Sequence, residues 1–417
     1  MVSRMLAVCV AIFLLTTLTA CAGLESEQGA TEDERRKLAR ANNRFAVTFY
    51  SQVAEDAEQK NLFFSPFSIA SALAMTCEGA RGETARQMAD VLELDMQRDK
   101  LRRSFRSLNS ELNPEKDEAA YQLTTANALW GQEGYEFRDA FVELTRRYYG
   151  AGLRRVDYRT GAGREEAREV INSWVSEETQ GKIDTLIARG ALSHLTRLVL
   201  TNAIYFKGLW AAPFDKKRTQ QAPFTTASGE KVDADLMYQK GTFRYRETDE
   251  GVQLLEMPYK GEELSMLVLL PPEPGRLGDL EEKLSPDELS EWLKGSRERK
   301  VRVYLPRFEM RWKADLVPAL KALGMPDAFS LPPADFSGMT GEKDLFISNV
   351  VHEAYVKVDE EGTEAAAATG VVVGVTSVQP QPPEFRADHP FMFCIRHRDS
   401  GAILFVGRVT DPTAGGA

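Results

Sequence analysis

Apolar residues recur at helical spacing between Asp33 and Ser51, where Leu38, Ala41, Phe45 and Phe49 would share one face. Ser65-Pro66 ahead of Ser68 to Ala74 reads as a helix start, since proline is tolerated in a first turn. Strand-like runs follow at Leu123 to Trp130 and Arg197 to Phe206. Ser265 to Leu270 is a buried strand stopped by Pro271-Pro272, and Val301 to Leu305 is another. Arg311 to Leu323 predicts a short helix closed by Gly324. Two further strand-like runs cover Phe346 to Val358 and Phe391 to Val406. Helices and strands mix without strict alternation, and there is no internal repeat or inter-domain linker. The pattern therefore predicts one α+β body.

Between the last two runs lies Asp359 to Pro383, DEEGTEAAAATGVVVGVTSVQPQPP. Small residues lose little side-chain entropy on burial, and the β-branched run Val371 to Val378 suits an extended backbone. Gly362 at one end and Pro380, Pro382 and Pro383 at the other separate the segment from its neighbours. Such a segment can live as an exposed loop or enter a sheet as a strand. A mobile alanine-rich linker would have the same composition. However, about twenty structureless residues inside a globular body call for a function.

The stretch DEEGTEAAAAT resembles the reactive-loop hinge of the serpins, the serine-protease-inhibitor family. Further blocks agree in family order: NLFFSPFSIASALAM from Asn61, GARGETARQM from Gly79, TNAIYFKGLWAAPF from Thr201, MPYKGEELSMLVLLPP from Met257, LPRFEM from Leu305, ADFSGM from Ala334 and HPFMFCIRHRDSGAILFVGRV from His389. The match spans roughly Arg35 to Pro412. The resemblance implies a serpin fold, with three β-sheets, about nine helices and an exposed reactive loop over residues 360–383.

It also implies a function. A serine protease cuts the loop, is held as a covalent acyl complex, and is trapped when the loop inserts into the main sheet. The hinge would be Glu360, Glu361, Gly362, Thr363, Glu364, Ala365, Ala366, Ala367, Ala368 and Thr369. In an inserting strand, alternate side chains face opposite sides. Thr363, Ala365, Ala367 and Thr369 form one small, uncharged set, and Glu364 falls in the set that can face outward. That composition favours an inhibitor over a non-inhibitory binding or structural protein of the same fold. Family offset puts the reactive bond between Thr376 and Ser377, with Val375 or Val378 as alternative registers. No Lys or Arg lies between Lys357 and Arg386, so the loop suits elastase- or subtilisin-like enzymes and offers trypsin-like ones nothing. By motif, Ser65, Ser68, Asn202 and His352 match a polar cluster under the point where the main sheet opens, and Trp210 matches the position where the loop first enters.

Composition adds bounds. Of 417 residues, 43% are hydrophobic and 27% charged, as in an ordinary globular protein. The net charge of −10 argues against a nucleic-acid partner, because such binding rests on cations that neutralise phosphates. Arg98, Lys100, Arg102, Arg103 and Arg106 cluster on a helical segment, but Asp95 and Asp99 dilute them and favour a solvated face over a polyanion site. Arg4 precedes an apolar run, Met5 to Leu18, too short to span a bilayer comfortably. The run ends in Leu18-Thr19-Ala20-Cys21, which resembles a bacterial lipobox. On that reading residues 1–20 are a lipoprotein signal peptide and Cys21 is lipidated. Residues 21–34 are then the anchor and polar tether, 35–412 the serpin domain and 413–417 a disordered tail. The alternative is an ordinary secretory peptide. The expected product is an exported monomer that is either extracellular or meets the cell envelope, the outer membrane in particular, only through Cys21.

Cys77 and Cys394 remain in the body, in apolar surroundings that suit inert thiols, and their pairing is left open. No catalytic or metal constellation emerges. G-x-S-x-G, G-x-x-x-x-G-K and H-E-x-x-H are all missing, and His352-Glu353 continues with the wrong residues. The expected protein is not an enzyme and takes no cofactor.

Overall fold

The first long helix is fixed by its cap. In a computed structural model that describes residues 29–57, 59–113, 121–363 and 381–415, the Thr31 hydroxyl accepts from the Glu34 amide and the Glu34 carboxylate accepts from the Thr31 amide. That reciprocal capping box starts the helix Glu32–Asp56, which buries Leu38, Ala41, Phe45 and Phe49. Ser65 caps the helix Pro66–Cys77, accepting from the Ser68 amide at 3.1 Å. Pro66 occupies its first turn, and every residue from Pro66 to Thr76 is buried. Ten α-helices lie among the described residues, none long and apolar enough to cross a membrane.

Fifteen strands form the β structure. The first eight are β1 Leu62–Phe64, β2 Tyr121–Gln132, β3 Leu153–Val156, β4 Leu198–Leu209, β5 Gln220–Thr225, β6 Lys231–Glu247, β7 Gln253–Pro258 and β8 Leu264–Leu270. The rest are β9 Arg297–Pro306, β10 Phe308–Asp315, β11 Ile347–Val358, β12 Gly362–Thr363, β13 Glu384–Arg386, β14 Phe391–His397 and β15 Ile403–Val409. Six of them make one sheet in the order β10-β11-β12-β4-β2-β3. The others make a nine-stranded sheet, β1-β15-β14-β8-β7-β6-β9-β13, with β5 also on β6. Three expected sheets thus count as two hydrogen-bonded ones among the described residues. The cause is the length of β6: its Lys231–Leu236 end pairs with β5, while its Arg244–Glu247 end pairs with β7.

Two local expectations are corrected. Arg311 to Asp315 is strand, not helix, because β10 pairs with β11 over eight rungs from Phe308↔Val358 to Asp315↔Val351. Only Val317–Ala322 is helical, and Gly324 follows it at φ +113. The run from Phe391 is two strands, folded back at Arg398 to Ala402 so that Phe391 faces Val409. A smaller apolar layer, including Ile171, Val175, Ile183 and Leu186, packs on Trp130, Val199, Ala203 and Val351 of the six-stranded sheet.

Candidate functional site

The two central strands of the six-stranded sheet, β4 and β11, are parallel partners from Ile347↔Leu198 up to Tyr355↔Tyr205. Beyond that rung they part, and β12 lies between them. Thr363 pairs with Val358 on one side and with Gly208 on the other, and Gly362 sits opposite Leu209. The return is tight, with the Asp359 amide donating to the Gly362 carbonyl at 2.9 Å. A Cβ at Gly362 would lie 2.7 Å from the Leu209 Cα and closer still to the Gly208 carbonyl oxygen, so only glycine fits.

Thr363 is fully buried, and its hydroxyl shares a 2.9 Å hydrogen bond with the Tyr259 hydroxyl. Burial raises the Tyr259 phenol far above its ordinary pKa, so it stays neutral. Tyr259 stacks on Trp210 with ring centroids 4.7 Å apart. The Trp210 indole N–H donates to the Asp359 carbonyl at 3.0 Å, and its amide donates to the Glu361 carbonyl at 2.9 Å. The Phe214 amide takes the Glu360 carbonyl at 2.8 Å. The start of the hinge is therefore held on both backbone and side-chain levels.

Charge adds a lock. Glu360 is only 1% exposed, yet its carboxylate receives Arg307 Nε at 2.9 Å, Arg307 Nη2 and the Thr219 hydroxyl. Burial by itself would raise the Glu360 pKa. The hydrogen bonds from Arg307 and Thr219 outweigh it and hold the carboxyl below its ordinary range. Glu361 is paired with Lys216, whose own pKa that bond raises.

Lower on the same seam the structure brings Ser65, Ser68, Asn202 and His352 together. His352 Nδ1 meets the Asn202 side-chain oxygen, and the Ser65 amide points at His352 Nε2 from 3.4 Å. Asn202 Nδ2 donates to Ser68 Oγ at 2.6 Å and also to Asn127 Oδ1. The Ser65 hydroxyl donates to the Leu404 carbonyl at 2.6 Å. Asn127, Asn202 and His352 form one row across β2, β4 and β11, because Asn127 is opposite Asn202 and Asn202 opposite His352. Burial lowers the His352 pKa to about 3, so its ring is neutral and can accept at one nitrogen.

Sequence reasoning missed Asn127, Arg307, Thr219, Lys216 and Tyr259. Arg307 and Tyr259 stand in two of the quoted blocks, LPRFEM and MPYKGEE, but nothing in their spacing links them to the hinge. Of the expected site, Glu364 to Ala368, Thr369, Thr376, Ser377 and Cys21 lie outside the described residues. Cys77 and Cys394 are free thiols, and burial raises the pKa of Cys77 to about 11 and of Cys394 to about 12. The basic cluster is largely paired: Arg102 with Glu78 at 2.7 Å, and Lys100 and Arg103 with Glu34. Among the described residues no group of three or more His, Cys, Asp or Glu is placed to hold a metal.

A family model described as Serpin (serine protease inhibitor) matches residues 40–412. The chain is 42% identical over 383 residues to the leukocyte elastase inhibitor of Homo sapiens, covering 90% of this chain and 100% of that protein. It is also 42% identical to Serpin B9 of Homo sapiens over 378 residues, covering 90% and 99%. Among solved structures, uncleaved ovalbumin superposes with a TM-score of 0.81 at 33% identity, covering 90% of this chain and all of that one.

Proposed function

The chain belongs to the serpin family, and we propose that it is an irreversible suicide-substrate inhibitor of serine proteases with elastase- or subtilisin-like preference. The observation that carries the reading is β12. Gly362 and Thr363 of the expected hinge lie between β4 and β11, where they form the first rungs of a strand that the rest of the loop can extend. Strand addition of this kind is the family's own mechanism.

The protease serine attacks the Thr376 carbonyl, the bond to Ser377 breaks, and the new Ser377 amine leaves with a proton. The loop up to Thr376 is then an ester of the enzyme. Its free amino-side half zips down the seam from Thr363, and β4 and β11 separate to receive it. About a dozen new backbone pairs, at roughly 1 kcal/mol net each, would supply on the order of 10 kcal/mol. The protease is carried along and held as a covalent acyl complex. This chain supplies bait and trap and does no catalysis of its own. The alternation supports the reading, because Thr363 is buried in the first seated rung and Ala365, Ala367 and Thr369 share its parity.

Export is part of the proposal and rests on sequence alone. The Leu18-Thr19-Ala20-Cys21 lipobox would place a lipid on Cys21, and the monomer would be tethered to the cell envelope, with the outer membrane favoured. The direct test incubates the soluble form, from Ala22 onward, with pancreatic elastase. The expected result is a complex that survives denaturation and a released peptide beginning at Ser377. Clean cleavage without a complex, and without a rise in thermal stability, would refute the trap.

A further inference from the structure

One arginine of the basic helix is left over by the pairing described above. Arg102 is held by Glu78, and Lys100 and Arg103 by Glu34, but Arg106, one turn further along the helix Arg98–Leu112, has no carboxylate partner among the described residues. It lines a cavity of about 370 Å³ between that helix, the helix Asp139–Tyr149 and β2. Arg146 and Arg147, in the last turn of the second helix, line the same cavity, and neither forms an ion pair among the described residues. No described Asp or Glu lines it, on a chain whose net charge is −10.

The floor of the cavity holds polar groups that the fold does not use. Ser71, in the helix Pro66–Cys77, is 3% exposed, and its hydroxyl has no hydrogen-bond partner among the described residues. A helical hydroxyl can bond back to the carbonyl four residues earlier, as Thr76 does to Ala72 at 2.8 Å. Strand alternation puts Thr125 and Asn127 on the cavity side of β2, while Ala126, Ala128 and Trp130 join the smaller apolar layer on the other side. Asn127 Oδ1 is taken by Asn202, whereas Asn127 Nδ2 reaches only the Ser68 carbonyl, at 3.5 Å. A donor so weakly engaged is free to serve a ligand oxygen.

Both helices also end here, and their C-termini weigh against an anion. Each presents about half a negative charge, so the pair offsets about one of the three guanidinium charges and leaves a clear positive excess. Compensation of the dipole accounts for Arg146 and Arg147 as last-turn cations. It does not account for Arg106 in mid-helix, nor for the unpartnered hydroxyl of Ser71.

We propose that this cavity binds a compact oxyanion with two or more negative charges, either a phosphate ester or a free polyphosphate. Arg106, Arg146 and Arg147 would grip phosphate oxygens, to which the guanidinium fork is matched, and Ser71, Thr125 and Asn127 would donate from the floor. A cavity that runs inward to a buried serine suits a compact ligand. An extended polyanion would instead need cations ranged along the outer helix face, and those are paired with Glu34 and Glu78.

The test titrates the uncleaved protein by calorimetry with inorganic pyrophosphate and with fructose 1,6-bisphosphate. Arg106→Gln, Arg146→Gln and Ser71→Ala are measured beside it, with Lys231→Gln at the exposed start of β6 as a charge control. Each arginine substitution should weaken binding about tenfold and Ser71→Ala about threefold, while Lys231→Gln stays within about twofold. Ser71→Ala should leave the thermal midpoint of the ligand-free protein unchanged, because its hydroxyl bonds nothing there. Ligand should raise the midpoint of the native chain. Tighter binding of pyrophosphate would assign the site to free polyphosphates and tighter binding of the bisphosphate to phosphate esters, and either supports it. The absence of one-to-one binding tighter than about 1 mM by either probe would overturn the proposal, as would equal weakening by Lys231→Gln. So would a sulfated polysaccharide that binds and is displaced by neither small probe. No protease enters the assay, so the outcome is independent of the trap.

Discussion

Replacing Thr363 by arginine tests the trap at its first rung. Thr363 is fully buried between β4 and β11, and its only side-chain hydrogen-bond partner among the described residues is the neutral Tyr259 hydroxyl. Among the described residues no carboxylate is bonded there to receive a guanidinium. An unpaired buried charge costs several kcal/mol even after relaxation, whereas the backbone bonds of the seated hinge contribute about 1 kcal/mol each. The charge wins, and the hinge of Thr363→Arg should sit outside the sheet in the uncleaved protein.

The kinetic consequence follows from a race. After acylation, insertion competes with hydrolysis of the ester, and every 1.4 kcal/mol on the insertion barrier slows it about tenfold. Taking about 3 kcal/mol as the part of the burial cost felt when the first rungs re-form, insertion slows by roughly a hundredfold. A chain that traps nearly every protease it meets would then be turned over mostly as substrate. The assay titrates pancreatic elastase with native protein, Thr363→Arg and Thr363→Val, and resolves complex from cleaved chain by denaturing electrophoresis. The valine variant keeps shape and loses only the hydroxyl, so it should keep trapping. Retention by Thr363→Arg of a denaturant-stable complex near one-to-one would refute insertion through this rung.

Three further outcomes follow from the same seam. Because the Glu360 carboxyl is held below its ordinary range, its contribution is present above that range, about 4.3, and is lost as pH falls through the lowered value. Glu360→Gln should therefore destabilise the uncleaved protein by about 1–2 kcal/mol at pH 7, less than a fully buried pair would lose because Arg307 is 40% exposed, and urea titrations should show that difference shrinking at pH 3. His352 binds its proton only near pH 3 in the fold but near 6.5 in the unfolded chain, so stability should fall as pH drops through that window, by at most about 1.4 kcal/mol per pH unit; chemical denaturation of His352→Gln should show a flatter profile. Gly362→Ala would drive a Cβ against Leu209 and should unseat β12, which hydrogen exchange will report as faster exchange of the Trp210 amide that now donates to Glu361.

Parts of this seam were legible in the sequence and parts were not, and the division has a physical cause. The small, alternating composition after Gly362 says that the segment can enter a sheet, and it places Thr363 on the inward parity, where the structure buries it. Ser65 and Ser68 announce themselves through a helix start, because a cap is a local event three residues long. Asn127 does not, since its partner Asn202 is 75 residues away and nothing in LTTANAL marks one polar strand residue as different from its neighbours. Arg307 is likewise 53 residues from Glu360, on a chain where most arginines are surface cations. The misread helix at Arg311 has the same origin. Trp312, Leu316 and Leu320 fall at helical spacing, but eight rungs against β11 decide the backbone of Arg311 to Asp315, and only the residues after Asp315 are free to coil.

How far the hinge has entered was never a matter of composition. It is the outcome of a competition at the top of the seam. On one side are the seated rungs of Gly362 and Thr363, the Tyr259 hydroxyl and the Trp210 bonds. On the other are the intact pairing of β4 with β11 below Tyr355↔Tyr205 and the apolar layer that covers it. Each rung gained by the loop requires one existing rung between β4 and β11 to break, so the net gain per step is small until the outgoing strands find the new strand as a shared neighbour. That condition places the barrier at the first closed rung. The two residues there are Tyr205 and Tyr355, one on each strand, with ring centroids 6.2 Å apart. A protein that must hold its sheet shut until its loop is cut, and open it within the lifetime of an ester, has to pass that rung first and then the polar row of Asn127, Asn202 and His352 below it.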